Sequence, residues 1–214
     1  MTNTMRSLFL DVARSAAGLI ADPKVAAAWN EPGALPKMTV GGIAEHLAFQ
    51  ILAVPQVVAE PVEGATELDI HGYYAQLRWI GEDVDSDFNT AIRTNAEQKS
   101  AEGPAELAAR TTATVAELAT LLPSVPGHQV RMSHWQEGIS VSVDTFLHTR
   151  LLELLIHNDD LAVSVGLEPP AVPAAATESV VDVLTRIAIR RHGPVAVLRS
   201  LSRAERAPEA INAL

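Results

Sequence analysis

The sequence contains no cysteine. The chain therefore cannot form a disulfide, use a cysteine nucleophile or bind a metal through thiolates, and this composition fits a reducing compartment. Any metal site must be built from histidine and carboxylate side chains. We expect a cytoplasmic protein, because Asp11 stands where the apolar region of a secretory signal would have to continue.

Positive charge and long apolar runs are also scarce. The chain has 16 basic and 26 acidic residues, giving a net charge of −10, and the basic residues are not clustered into a stripe. Such a surface repels phosphate backbones, so we expect no nucleic-acid partner. No apolar run approaches the roughly 20 residues that cross a bilayer, so we expect no membrane partner. A small-molecule substrate is the expected partner, and a homodimer remains open.

The composition is nevertheless that of a globular protein with one sizeable core, because 48% of the 214 residues are hydrophobic and the mean hydropathy is +0.14. Apolar residues recur mostly at helical spacing, which predicts a mainly α-helical fold. A short β-hairpin is predicted from alternation over 129–133 and 139–141. Helices are predicted over 5–29, 40–60 with a kink or break at Pro55, 67–81, 88–101, 104–122, 143–165, 177–192 and 195–201.

The helix predicted over 143–165 carries one polar seam. At about 100° per residue, a band of eight side chains centres on Glu153, with leucines towards the other side. A water-facing surface is the simplest alternative, although such a face usually carries several lysine–glutamate pairs. The band contains Ser142, Phe146, Thr149, Arg150, Glu153, His157, Asp160 and Ser164.

Glu153 and His157 stand one helical turn apart, so their side chains can converge on one ion at roughly 2.0–2.2 Å. A third ligand must come from another helix. His46 is the best candidate, because it lies in an apolar helix where an unpaired imidazole needs a partner, although a backbone carbonyl is the alternative partner. Two histidines and one carboxylate accept zinc and other first-row divalent ions.

Two further residues of the seam can assist such a site. Asp160 can orient a metal ligand, and Arg150 can bind an anionic group of a substrate. An ion pair within the helix is the alternative for both, since Arg150 and Glu153 are spaced i,i+3. On the hairpin, His134 and Trp135 can edge a pocket, although ordinary packing is the more common role of such a pair.

Two stretches resemble a known family. Residues 38–47 (MTVGGIAEHL) and 149–162 (TRLLELLIHNDDLA) are similar to the two signature segments of the mycothiol-dependent maleylpyruvate isomerase-like proteins, within the DinB-like superfamily. The resemblance implies an up-down four-helix bundle over 1–167, with a C-terminal helical extension over 168–214. It also implies a metal, usually zinc, bound by His46, Glu153 and His157.

In the catalytic members of this family the metal activates the thiol of mycothiol. The resemblance therefore implies a divalent-metal-dependent enzyme that uses mycothiol for isomerisation or transfer on a small electrophile. The isomerase itself has a substantial second domain where this chain has only 168–214, so maleylpyruvate isomerisation itself is not expected. A non-catalytic bundle that binds a metal or a small molecule is the alternative, and a closed site with four protein ligands would favour it.

Overall fold

A computed structural model describes residues 4–77, 80–133 and 135–214. The chain is mainly helical, as predicted, with a small three-stranded sheet. In chain order the helices are α1 (Met5–Ile20), α2 (Pro23–Ala27), α3 (Val40–Leu52), α4 (Val54–Ala59), α5 (Ile70–Gln76), α6 (Asp87–Ser100), α7 (Pro104–Leu121), α8 (Val143–Ser164), α9 (Ala174–His192) and α10 (Pro194–Ser202). The strands are β1 (Thr66–Leu68), β2 (Gln129–Val130) and β3 (Ile139–Ser142), and single 3₁₀ turns cover Leu122–Ser124 and Ala204–Arg206.

Four long helices form the bundle. Helix α1 packs against α7 and α8, and α3 packs against the same two helices, so the four enclose one core. Helix α6 lies on the outer side of α3, and α9 covers α8. The largest fully buried side chains come from all four bundle helices and include Phe9, Ile43, Leu118 and Phe146. This arrangement confirms the predicted helical bundle.

The start of α3 is held in two ways. The Thr39 hydroxyl accepts a hydrogen bond from the Gly42 amide at 3.0 Å, which caps the helix. The Glu97 carboxylate of α6 accepts from the Thr39 amide at 2.7 Å and from its hydroxyl at 2.9 Å. A Cβ at Gly41 would lie 2.7 Å from the Trp29 ring, and one at Gly42 would collide with Glu97. The paired glycines therefore permit close packing around this helix start.

The break predicted at Pro55 is present, because α3 ends at Leu52 and α4 begins at Val54. By length and composition alone, the segment Val40–Ala59 could cross a membrane. Most of it is buried inside the fold, and it contains Glu45 and His46. Burial of this kind is typical of the core helix of a soluble protein.

The sheet confirms one prediction and corrects another. Strands β2 and β3 form the predicted hairpin. The helix predicted over 67–81 is wrong at its start, because Thr66–Leu68 pairs in parallel with β3. Asp69 then caps α5, accepting a hydrogen bond from the Gly72 amide at 2.6 Å. Local spacing could not reveal a strand whose partner lies so far along the chain.

The boundaries of helices near both ends of the chain also differ from the predicted ones. The first helix, predicted over 5–29, ends at Ile20, because Asp22 caps a separate short helix that begins with Pro23. Helix α9 begins at Ala174, earlier than predicted, and ends at His192, because the next residue, Gly193, has a positive φ of 83° that suits glycine. The division of the chain into a bundle over 1–167 and an extension over 168–214 stays a prediction. His134, which was predicted to edge a pocket, lies outside the described residues.

Candidate metal centre

Three side chains from two helices meet inside the bundle. The candidate ligand atoms of His46 on α3 and of Glu153 and His157 on α8 all lie within 4.8 Å of one another. His157 Nε2 is 3.2 Å from Glu153 Oε2, and the rings of the two histidines are 4.4 Å apart and 75° from parallel. We call these three residues the His–Glu–His cluster. The structure therefore brings together the set predicted from the sequence.

The polar seam of α8 faces the protein interior rather than water. The side chains of Glu153 and His157 are only 15% and 13% exposed, and Phe146 and Thr149 on the same seam are fully buried. The seam is turned inward because α8 packs against α3 on one side and against α1 and α9 elsewhere. The water-facing alternative is therefore wrong.

Asp160 holds the His157 ring. Its carboxylate lies 2.8 Å from His157 Nδ1 and so fixes the orientation of the imidazole. This contact leaves the other ring nitrogen, Nε2, pointing to the Glu153 carboxylate. Asp160 occupies the place expected of a residue that orients a metal ligand, and it also forms the predicted contact within the helix.

Arg150 is buried beside the cluster. Its Nε donates to Thr149 Oγ1 at 3.1 Å, its Nη1 donates to Gln50 Oε1, and its guanidinium lies 5.7 Å from the centre of the Phe146 ring. Its hydrogen bonds therefore go to Thr149 and Gln50 rather than to Glu153. The third nitrogen, Nη2, takes no part in these two bonds, and a guanidinium nitrogen can donate to an anion.

Gln50 is a site residue that the sequence did not single out. Its side chain is buried, accepts from Arg150, and donates from Nε2 to the His46 carbonyl at 3.0 Å. Gln50 therefore connects the backbone of α3 at His46 to the guanidinium on α8. Its only signal in the sequence is that a polar residue stands one turn after His46 in a mostly apolar helix.

The three members of the cluster have different electrostatic environments. Burial, together with the charges of His157 and Arg150, lowers the pKa of His46 to about 3, so this imidazole is neutral. Burial raises the pKa of Glu153, but the hydrogen bond and charge of His157 and the charge of Arg150 outweigh it, and the pKa is lowered. Burial lowers the pKa of His157, but contacts with Asp160 and Glu153 raise it overall.

An aromatic array reaches α8 at Phe146, and it includes Trp135, which was predicted from the sequence to edge a pocket. The rings of Tyr73 and Tyr74 on α5 meet edge to face at 5.1 Å, and Tyr73 packs on Trp135 at 4.4 Å. Trp135 in turn lies 6.2 Å from Phe146. A surface groove lies elsewhere, along α9, α10 and residues 211–214, and none of the three cluster residues lines it.

The fold and the cluster together define a helical-bundle protein with a candidate two-histidine, one-carboxylate metal centre. The model of the mycothiol maleylpyruvate isomerase N-terminal domain family matches residues 9–162, most of the chain and all three cluster residues. The chain belongs to this family, which confirms the resemblance seen in the sequence and places it in a mycothiol-related enzyme family. Searches of the curated proteins and of the solved structures found no significant match.

Proposed function

We propose that this protein is a divalent-metal-dependent enzyme that activates a low-molecular-weight thiol, mycothiol, for isomerisation or transfer on a small electrophilic substrate. The observation that carries the proposal is the convergence of His46, Glu153 and His157 inside a bundle of the mycothiol-related family. We propose these three residues as the ligands of one ion, with zinc as the metal, because catalytic zinc sites use two imidazoles and a carboxylate.

The distances support a shared ion. Two ligands that each lie about 2.1 Å from a tetrahedral ion are about 3.4 Å apart, close to the 3.2 Å between His157 Nε2 and Glu153 Oε2. Among the described residues the cluster has three members. Catalytic zinc sites typically have three protein ligands and one open position, whereas structural sites have four. This count favours an enzyme over the non-catalytic alternative.

The surrounding residues would keep the site ready for such chemistry. His46 is neutral and so presents a lone pair, while Asp160 holds the His157 ring in one orientation. Arg150 Nη2 can bind an anionic group of the incoming molecule. When bound, a divalent ion supplies Lewis acidity and lowers the pKa of a thiol. Because the chain has no cysteine, that thiol comes from a separate molecule.

The remaining partners are also proposals. We propose a small-molecule substrate and a cytoplasmic location, with neither nucleic acid nor membrane as a partner, because the net charge of −10 disfavours anionic polymers and anionic surfaces. A homodimer remains a prediction. The buried position of the cluster supports a small substrate, because only 15% of the Glu153 side chain is exposed.

Metal analysis tests the centre directly. We expect one divalent ion per chain in the purified or zinc-reconstituted protein, and loss of that stoichiometry in His157→Ala and His46→Ala. The matched control is His192→Ala, since His192 lies outside the cluster and its Nε2 contacts the Asn212 carbonyl. The centre would be refuted if the wild type held no stoichiometric ion and His157→Ala changed neither metal content nor stability.

Thiol activation needs a second measurement. Titration of the cobalt-substituted protein with mycothiol should produce a thiolate-to-cobalt absorption band, and the same protein should then consume a small electrophile faster than free mycothiol does. A protein that binds one ion but gives neither signal would instead be a non-catalytic metal-binding bundle.

A further inference from the structure

The hydroxyl group of Tyr74 is buried and has no hydrogen-bond partner among the described residues. Only 4% of this residue is exposed, so bulk solvent does not reach the hydroxyl. Leaving a buried hydroxyl unpaired costs free energy, and folded proteins keep few such groups. A partner supplied by a bound molecule would explain why a tyrosine rather than a phenylalanine occupies this position.

Tyr74 is linked to the site through the packing of α5 and through neighbouring rings. Helix α5 packs against α8, and the Tyr74 ring is part of the aromatic array that continues through Tyr73 and Trp135 to Phe146. The far end of the array is covered by the Arg150 guanidinium. The array therefore runs beside the part of α8 that presents Arg150 and Glu153.

The charges around Tyr74 belong to the same site. Burial is the main cause that raises the pKa of Tyr74 well above its ordinary value, followed by the negative charge of Glu153, which the positive charge of Arg150 partly opposes. The hydroxyl therefore remains protonated and can act as a hydrogen-bond donor. Other buried atoms lack partners, including the side-chain amide of Asn158, but Asn158 borders the groove between α8 and α9 instead.

We propose that Tyr74 is a positioning residue whose hydroxyl donates a hydrogen bond to the anionic acceptor atom of the molecule bound at the open side of the His–Glu–His cluster. Arg150 Nη2, which takes no part in the bonds to Thr149 and Gln50, supplies a second donor to the same molecule. This inference rests on the proposed metal centre but not on the identity of the thiol.

Azide binding to the cobalt-loaded protein tests this role. Azide is a small anion that binds cobalt and accepts hydrogen bonds, and its binding is followed by the visible absorption of the ion. We expect Tyr74→Phe to retain one cobalt per chain while its Kd for azide rises about tenfold, because one hydrogen bond to a charged acceptor is lost. We also expect the metal-free variant to unfold at the same or a higher denaturant concentration, because no protein hydrogen bond is removed.

Thr111→Val is the matched control. Thr111 is also fully buried, but its hydroxyl donates to the Leu107 carbonyl at 2.8 Å within α7. We expect this variant to be less stable and to bind azide like the wild type. Tyr74→Phe should therefore weaken azide binding without lowering stability, whereas Thr111→Val should lower stability without changing azide binding.

Three outcomes would overturn the inference. An unchanged Kd for azide in Tyr74→Phe would exclude the proposed hydrogen bond while leaving the metal centre intact. A marked fall in the stability of metal-free Tyr74→Phe, or loss of its cobalt, would show that the hydroxyl serves the fold. Failure of the wild type to bind cobalt at all would refute both the metal centre and the role of Tyr74.

Discussion

The bundle and the C-terminal extension differ in what they bury and what they expose. The bundle encloses polar side chains, including Glu45, Gln50 and Arg150, whereas α10 presents Leu198 and Leu201, which are 64% and 72% exposed. Their charges differ as well. Residues 1–167 carry 10 basic and 21 acidic side chains, a net charge of −11, and residues 168–214 carry 6 and 5, a net charge of +1.

This comparison shows that the buried polar side chains indicate a functional site, whereas the exposed apolar side chains do not. Burying a polar group is costly unless another group compensates it, so buried polar residues that converge on one point need a chemical reason. Exposed apolar residues are common on protein surfaces and need no such reason. The groove along α9 and α10 has a volume of about 350 Å³, yet its lining is almost entirely apolar. The site is therefore identified by its converging polar atoms rather than by the size of a cavity.

The same truncation in the two regions should produce the largest contrast. Leu151 is fully buried in α8, and Leu198 is largely exposed in α10. We expect Leu151→Ala to lower the free energy of unfolding by about 2–5 kcal/mol, because it leaves a cavity. We expect Leu198→Ala to change it by no more than about 0.5 kcal/mol. Chemical denaturation of both variants measures the difference, and equal losses would show that α10 is covered in solution.

A smaller effect is expected at the residue that orients His157. Asp160→Ala should weaken zinc binding by about 10- to 100-fold, because the imidazole loses the partner that fixes its ring. Asp159→Ala is the control, since Asp159 is its exposed neighbour in the sequence. Competition with a chromophoric chelator gives both affinities. If the two variants bound zinc equally well, Asp160 would not act on the site.

The smallest effect concerns His148, where α8 faces the extension. Burial is the main cause that lowers the pKa of His148 below its ordinary value of 6.5, the nearby His71 adds to it, and a hydrogen bond with the backbone of Ser179 on α9 opposes it. As the pH falls below 6.5, the unfolded chain takes up a proton that the folded chain does not, so stability should decrease with acidity. We expect His148→Leu to reduce this slope in unfolding experiments between pH 6.5 and 5. If the slope did not change, groups other than His148 would cause the loss of stability at acidic pH.

Local spacing predicted the part of the site that lies on one helix. Glu153, His157 and Asp160 follow from positions one turn apart, and these positions hold in α8. His46 was found because a lone histidine in an apolar helix needs a partner. Gln50 was missed because its partner Arg150 lies on another helix, and such contacts leave no periodic signal in the sequence.

The fold shows the same limit. The hairpin joins neighbouring segments and was predicted, whereas β1 was missed because it pairs in parallel with β3, a strand that comes much later in the chain. The break after Ile20 was missed for a different reason. Asp22 followed by Pro23 is a helix-start signal, but the apolar residues around it continued the helical pattern.

The hydrogen bonds between Glu97 and Thr39 have a consequence for evolution. They anchor the first turn of α3 to α6, and His46 follows less than two turns later on the same helix. The position of the His46 side chain along α3, relative to Glu153, is therefore set partly by α6, a helix outside the four-helix bundle. Substitutions in α6 are therefore expected to change the affinity of the candidate site for an ion without altering any candidate ligand, so that affinity can evolve gradually.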